Sequence, residues 1–201
     1  MNRNKIILIT IFFLALVWSF ISPVTWDTWL MEVAPGLFYI TALAIMFRSF
    51  KFTDFTLIFI LIHCIILFIG AKYTYAEVPL FNWIRDYFEM DRNNYDKLGH
   101  FAQGFIPAMV ARELIIRLGA VKRWLNFFVI SICLAISALY EIFEWFAAVA
   151  MADGAEDFLG TQGYVWDAQS DMLFALMGAS CMLLLLSKIQ DKYISGLLAK
   201  A

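Results

Sequence analysis

Six long apolar runs separated by short charged segments set the pattern of this chain, at residues 6–22, 31–47, 55–74, 98–118, 125–151 and 169–187. A bilayer core of about 30 Å needs roughly 20 residues of helix, so each run predicts a transmembrane span. Barrel strands would alternate in polarity every second residue, whereas these runs are continuously apolar. The expected fold is therefore all-α, a single polytopic membrane helical bundle over 1–201 with six transmembrane helices. The first run follows a basic start, as a signal peptide would. It is longer than a signal core and leads into Ser22-Pro23-Val24-Thr25-Trp26 rather than a small-residue cleavage site, so a retained helix is expected. Between the third and fourth runs, Leu80, Phe81, Ile84, Tyr87 and Phe88 recur at helical spacing opposite Arg85, Asp86 and Glu89. That pattern predicts an interfacial helix near 80–90, lying flat over the outer side.

Composition agrees: 63% of residues are hydrophobic and 16% charged, against roughly a quarter charged in soluble domains. The net charge of -2 gives no electrostatic basis for nucleic acid, and no phosphate-cradling glycine loop or dinucleotide fingerprint points to a nucleotide. Cys64, Cys133 and Cys181 all lie in apolar runs and read as small buried hydrophobes. Eleven of the 15 Lys and Arg residues (Arg3, Lys5, Arg48, Lys51, Arg112, Arg117, Lys122, Arg123, Lys188, Lys192, Lys200) fall on one side of the six-span topology. Lys72, Arg85, Arg92 and Lys97 fall on the other. Positive charge is retained in the cytoplasm, so both termini are expected to be cytoplasmic.

That topology brings three polar stripes to the outer side. Asp96, His100, Gln103 and Pro107 share one face of the fourth span, Ser137, Tyr140, Glu141 and Glu144 one face of the fifth, and Asp167 and Asp171 line up on the sixth. A carboxylate at mid-membrane costs on the order of 3 kcal/mol on insertion scales, so these acids must face one another, water, a cation or a basic side chain. Lys97 and His100 are the expected counter-charges. The excess of acid predicts either a bound divalent metal ion, with His100, Glu141, Asp167 and Asp171 as ligands, or metal-free acid and base chemistry by Glu141, Glu144, His100 and Lys97. A proton or ion relay is a third use of such residues. The plainer reading makes Asp96, Lys97 and Asp167 helix caps and headgroup anchors. Glu113 and Arg117, four apart near the inner end, are expected to pair, and His63 to make an interhelical hydrogen bond.

Asp96-Lys97-Leu98-Gly99-His100-Phe101, Tyr140-Glu141-Ile142-Phe143-Glu144-Trp145 and Trp166-Asp167-Ala168-Gln169-Ser170-Asp171-Met172 carry a resemblance to the YjdF-type family of bacterial inner-membrane proteins. More distantly, an Asp-Lys-x-x-His at a helix start, a Glu in the next helix and an Asp opening the last are similar to the VanZ-like family, which is associated with glycopeptide resistance. The resemblance implies a multi-pass protein of the bacterial cell inner membrane. On the VanZ-like comparison Asp96, Lys97, His100, Glu141 or Glu144, and Asp167 or Asp171 are the positions carried over. The resemblance implies a site and a location, and the acid-rich cluster at headgroup depth beneath the amphipathic helix leads to the expectation of a small enzyme acting on an envelope lipid or isoprenoid-linked substrate at the periplasmic leaflet. The alternative is a non-enzymatic ion- or proton-coupled carrier, a lipid-binding protein or an accessory membrane protein.

Overall fold

The structure, a computed structural model, describes residues 3–46, 50–119, 123–151 and 162–199. The predicted end of the second span at 47, and Arg48, Lys122 and Lys200 of the charge count, lie outside the described residues. Among the described residues the ordered segments are helical: α1 (Arg3–Phe20), α2 (Trp26–Met46), α3 (Asp54–Tyr73), a 3-10 turn (Tyr75–Glu77), α4 (Pro79–Tyr87), α5 (Tyr95–Arg117), α6 (Leu125–Met151), α7 (Asp167–Leu185) and α8 (Ser187–Leu198). α1, α2, α3, α6 and α7 are each long and apolar enough to cross a membrane.

Local chemistry sets several of the ends. Thr53 caps α3 by accepting from the Thr56 amide at 3.3 Å, with Asp54 in its first turn and Lys72 in its last to complement the helix dipole. Pro79 opens α4, where its missing N–H costs nothing. Asp96 and Asp167 stand in the first turns of α5 and α7, and Arg117 in the last turn of α5.

α1, α2 and α3 pack as one group and α5, α6 and α7 as another, joined through α3 and α5. One apolar cluster, including Phe12, Val33, Cys64, Phe68 and Ile106, fills the first group and its seam with α5. A second, built on Ala108, Met109, Val129, Cys133, Ala179 and Met182, fills the other. α5 is the hub. Fifteen of its 23 residues are buried, among them Asp96, Lys97, His100, Arg112 and Glu113. A helix surrounded by protein can carry charge that a lipid-facing one cannot, which is why the most polar of the long helices lies at the centre.

α5 and α7 run parallel and nearly touch. A Cβ on Gly104 would collide with the Ala175 carbonyl, and one on Gly178 with the Phe101 carbonyl, so only glycine allows this approach. The crossing holds the first turns of the two helices side by side, at the end where the ionisable residues collect. At the other end Glu113 is fully buried. It accepts from the Thr53 amide (2.8 Å), Thr53 Oγ1 (2.9 Å), Thr56 Oγ1 (2.6 Å) and Arg117 (3.0 Å), so the expected pairing with Arg117 is one part of a larger latch.

α8 was not foreseen from the apolar runs. It turns Gln190 and Ile194 inward, and Gln190 Nε2 donates to the Met109 carbonyl at 2.7 Å. α4 also differs from expectation. Leu80, Trp83, Tyr87 and Phe88 are exposed, whereas Phe81 and Ile84 are half-buried. Phe81 meets Tyr95 edge-on at 5.1 Å, so α4 is apolar both toward the protein and away from it. His63 packs edge-on against Tyr39 at 5.9 Å, and among the described residues its Nδ1 has no hydrogen-bond partner, in contrast to the bond expected.

Candidate functional site

The loop into α5 is pinned before the site begins. Asn93 is fully buried. Its amide Nδ2 donates to the Val78 carbonyl (3.1 Å) and to Asn82 Oδ1 (2.8 Å), while its Oδ1 accepts from the Tyr95 amide (3.0 Å). The Asn93 backbone exchanges two further bonds with the side chain of Gln162, at 3.0 and 2.9 Å. α4, the start of α5 and the approach to α7 are thereby fastened to one residue.

From this anchor α5 delivers Asp96, Lys97 and His100 inward, and α7 delivers Asp167 and Asp171. Lys97 Nζ lies 2.6 Å from Asp171 Oδ1, 2.8 Å from Asp167 Oδ1 and 3.4 Å from Asp96 Oδ2. Arg92 adds a second cation, 2.7 Å from Asp167 Oδ1 and 3.6 Å from Asp96 Oδ2. Tyr164 faces both, its ring centre 5.6 Å from the Arg92 guanidinium and 5.8 Å from Lys97 Nζ. His100 sits deeper. Its Nε2 is 3.3 Å from Asp96 Oδ1 and 3.8 Å from Asp171 Oδ2, and its Nδ1 is 3.1 Å from Gln103 Oε1 and 3.7 Å from Glu141 Oε1. Tyr140 meets the imidazole edge-on at 5.9 Å.

Two clefts flank the cluster. One of about 990 Å³ is lined by Glu89, Asp91, Arg92 and Lys97 on its charged side and by Phe81, Leu98, Phe101 and Phe174 on its apolar side. The other, about 360 Å³, is lined by Glu141, Glu144, Trp145, Tyr164 and Asp167.

The chain matches, over residues 4–192, the model of the family described as "Predicted membrane protein (DUF2238)". It belongs to that family. It is also 45% identical over 183 residues to the inner membrane protein YjdF of Escherichia coli (strain K12), a match covering 90% of this chain and 88% of that protein. No solved structure matches.

Of the residues singled out in the sequence, Lys97, His100, Asp167, Asp171 and Glu141 meet in one cluster, and Glu144 lines the smaller cleft beside Glu141. The grouping differs in detail from the four expected metal ligands. The His and carboxylate atoms that lie within 4.8 Å of one another belong to Asp96, His100 and Asp171, while Asp167 is held by Lys97 and Arg92. Two participants were missed. Arg92 looked like a loop cation, and only the fold carries it to Asp167. Glu32 of α2 is buried, among the described residues its Oε2 has no hydrogen-bond partner, and it interacts electrostatically with Asp96 and His100. A lone carboxylate inside an apolar span was the signal available for it.

Chemically, the cluster offers an imidazole between carboxylates, two cations at its mouth and an excess of acid behind. Among the described residues Glu32 and Glu144 form no salt bridge, and Glu141 approaches only His100.

Proposed function

We propose that this protein is a small enzyme of the bacterial inner membrane, acting on an amphipathic envelope lipid or isoprenoid-linked substrate at the periplasmic leaflet. In this reading α5 is a sixth span alongside the five apolar helices, both termini are cytoplasmic, and the cluster faces the periplasm. The excess of Lys and Arg on the opposite side supports that orientation, and the inner-membrane location of the Escherichia coli relative supports the compartment.

The observation that carries the proposal is the larger cleft, apolar along Leu98, Phe101 and Phe174 and polar at Glu89, Asp91, Arg92 and Lys97, which reaches the cluster at Lys97. A molecule with an acyl or prenyl tail and a polar head matches both walls. Lys97 and Arg92 hydrogen-bond the head group from their places among the aspartates. Glu141, with Glu144 behind it, exchanges protons with the substrate across the smaller cleft, and His100 with Asp96 and Asp171 polarises the reacting group. A carrier would need polar groups free to continue the path inward, whereas Glu113, Arg112 and Gln190 at the inner end are engaged with one another's neighbours.

The test is the lipid profile of a deletion strain complemented with the parent gene or with His100→Ala, Glu141→Gln, Glu144→Gln or Asp171→Asn. The expected result is one lipid species that accumulates in the deletion, is consumed again with the parent gene, and persists with the variants. Identical profiles in all six strains would sink the proposal.

A further inference from the structure

We infer that Asp96, His100 and Asp171 form a binding site for one first-row divalent cation. The inference rests on reading this cluster as the functional site, but not on a lipid being the substrate.

Lys97 takes one oxygen of each aspartate, Oδ2 of Asp96 at 3.4 Å and Oδ1 of Asp171 at 2.6 Å. The opposite oxygens, Oδ1 of Asp96 and Oδ2 of Asp171, both turn to His100 Nε2, at 3.3 and 3.8 Å. Two donors each about 2.1 Å from a tetrahedral ion stand roughly 3.4 Å apart, so these spacings are those of ligands around a common centre. The whole trio lies within 4.8 Å, which side-chain shifts of a few tenths of an ångström per ligand bring onto an ion.

The surroundings fit the same centre. His100 Nδ1 lies 3.1 Å from Gln103 Oε1, so donating its proton there leaves the Nε2 lone pair facing the two oxygens. A metal-bound histidine characteristically donates its other nitrogen to such an acceptor. Lys97 plays the corresponding part for the carboxylates, fixing their rotamers. Glu32 adds a further buried acid: it is only 5% exposed, and among the described residues its Oε2 has no hydrogen-bond partner. One imidazole and two carboxylates leave coordination positions open for water or substrate and suit Zn²⁺ or Mn²⁺.

The test uses the full chain in detergent, stripped with chelator and titrated with Mn²⁺, then Zn²⁺. The expected result is one Mn²⁺ per chain, displaced by Zn²⁺, with nitrogen coupling from His100 in its electron paramagnetic resonance spectrum. That coupling is read on the parent protein and needs no variant to fold. His100→Ala should abolish the coupling, and Gln103→Leu should weaken binding about 10- to 100-fold while Gln103→Glu retains it. A parent protein that binds neither ion at about 1 mM, a bound Mn²⁺ without nitrogen coupling, or binding unchanged in His100→Ala would overturn the inference. Ion binding without any lipid change would leave the metal site standing and remove the enzymatic reading; a lipid change without ion binding would do the reverse.

Discussion

Replacing Gly178 with alanine tests whether the α5–α7 crossing sets the geometry of the site. The added Cβ would meet backbone rather than a yielding side chain, with Phe101 C and Phe105 N both at 2.9 Å and the Phe101 carbonyl oxygen nearer still. Normal contact requires α7 to move away by about 1 Å, and overpacking of this kind costs about 1–3 kcal/mol. Asp171 lies two helical turns toward the N-terminal end of α7 from Gly178, so the movement acts on the Lys97–Asp171 contact, now 2.6 Å. Lengthening it by 1 Å at an effective dielectric constant near 20 forfeits about 2 kcal/mol of attraction. The summed loss is about 3–5 kcal/mol, which for a chain of this length lowers the melting temperature by roughly 10 °C. The same substitution at Gly196 in α8 meets nothing within 4 Å. Alanine is the better helix former there and should stabilise by about 0.5–1 kcal/mol. Thermal unfolding of both variants in one detergent reads the difference directly. If Gly178→Ala melts with the parent, or if both variants shift in the same direction, the crossing does not position the site.

Lys97→Met removes the cation shared by three aspartates and leaves Asp171, whose side chain is 2% exposed, without its ammonium; a loss of about 3–5 kcal/mol is expected in thermal unfolding, and a parent-like melt would contradict the network. Glu113→Gln should cost about 3 kcal/mol by weakening four buried bonds to a charged acceptor. Glu144→Gln should instead raise stability by about 0.5–2 kcal/mol, because it relieves an acid-rich site of one charge; equal signs for the two glutamates would refute the distinction between the ends of α5. Alkaline phosphatase fused after Asp91 should be active outside the inner membrane and the same enzyme fused after Leu198 inactive, and the opposite pattern would invert the topology.

The long helices were legible because lipid imposes one simple demand, continuous apolarity over about 20 residues. α5 was legible for a different reason. Its run from 98 to 118 is broken by Gln103, Arg112 and Glu113, yet small and apolar residues between them kept the helical reading, and the structure buries those polar groups against protein. α8 escaped because Gln190 and Ile194 face inward from a short segment rich in charge, where no membrane constraint sharpens the pattern. At the site, periodicity aligned Asp96 with His100 and Asp167 with Asp171, since both pairs are four apart on single helices. Arg92 reaches the cluster from a loop, and Glu32, on another helix group, feels its charges. Such meetings are set by tertiary packing and leave no spacing to read.

The two ends of α5 carry comparable numbers of ionisable groups and treat them in opposite ways. At the C-terminal end every lone pair of Glu113 that the fold can reach has a donor, and Arg112 is divided between Gln190 at 3.0 Å and Asp191 at 2.8 Å. That is how a protein makes buried charge serve cohesion. At the end that carries Asp96, Lys97 and Arg92 are shared among three aspartates. Among the described residues Glu32 Oε2 and Glu141 Oε1 have no hydrogen-bond partner. Structural need alone would favour apolar residues at Glu32, Glu141 and Glu144, since well-packed hydrophobic side chains cost less than uncompensated acid. The surplus is what the proposed function accounts for, since it lies beside two clefts and structure alone gives it no use.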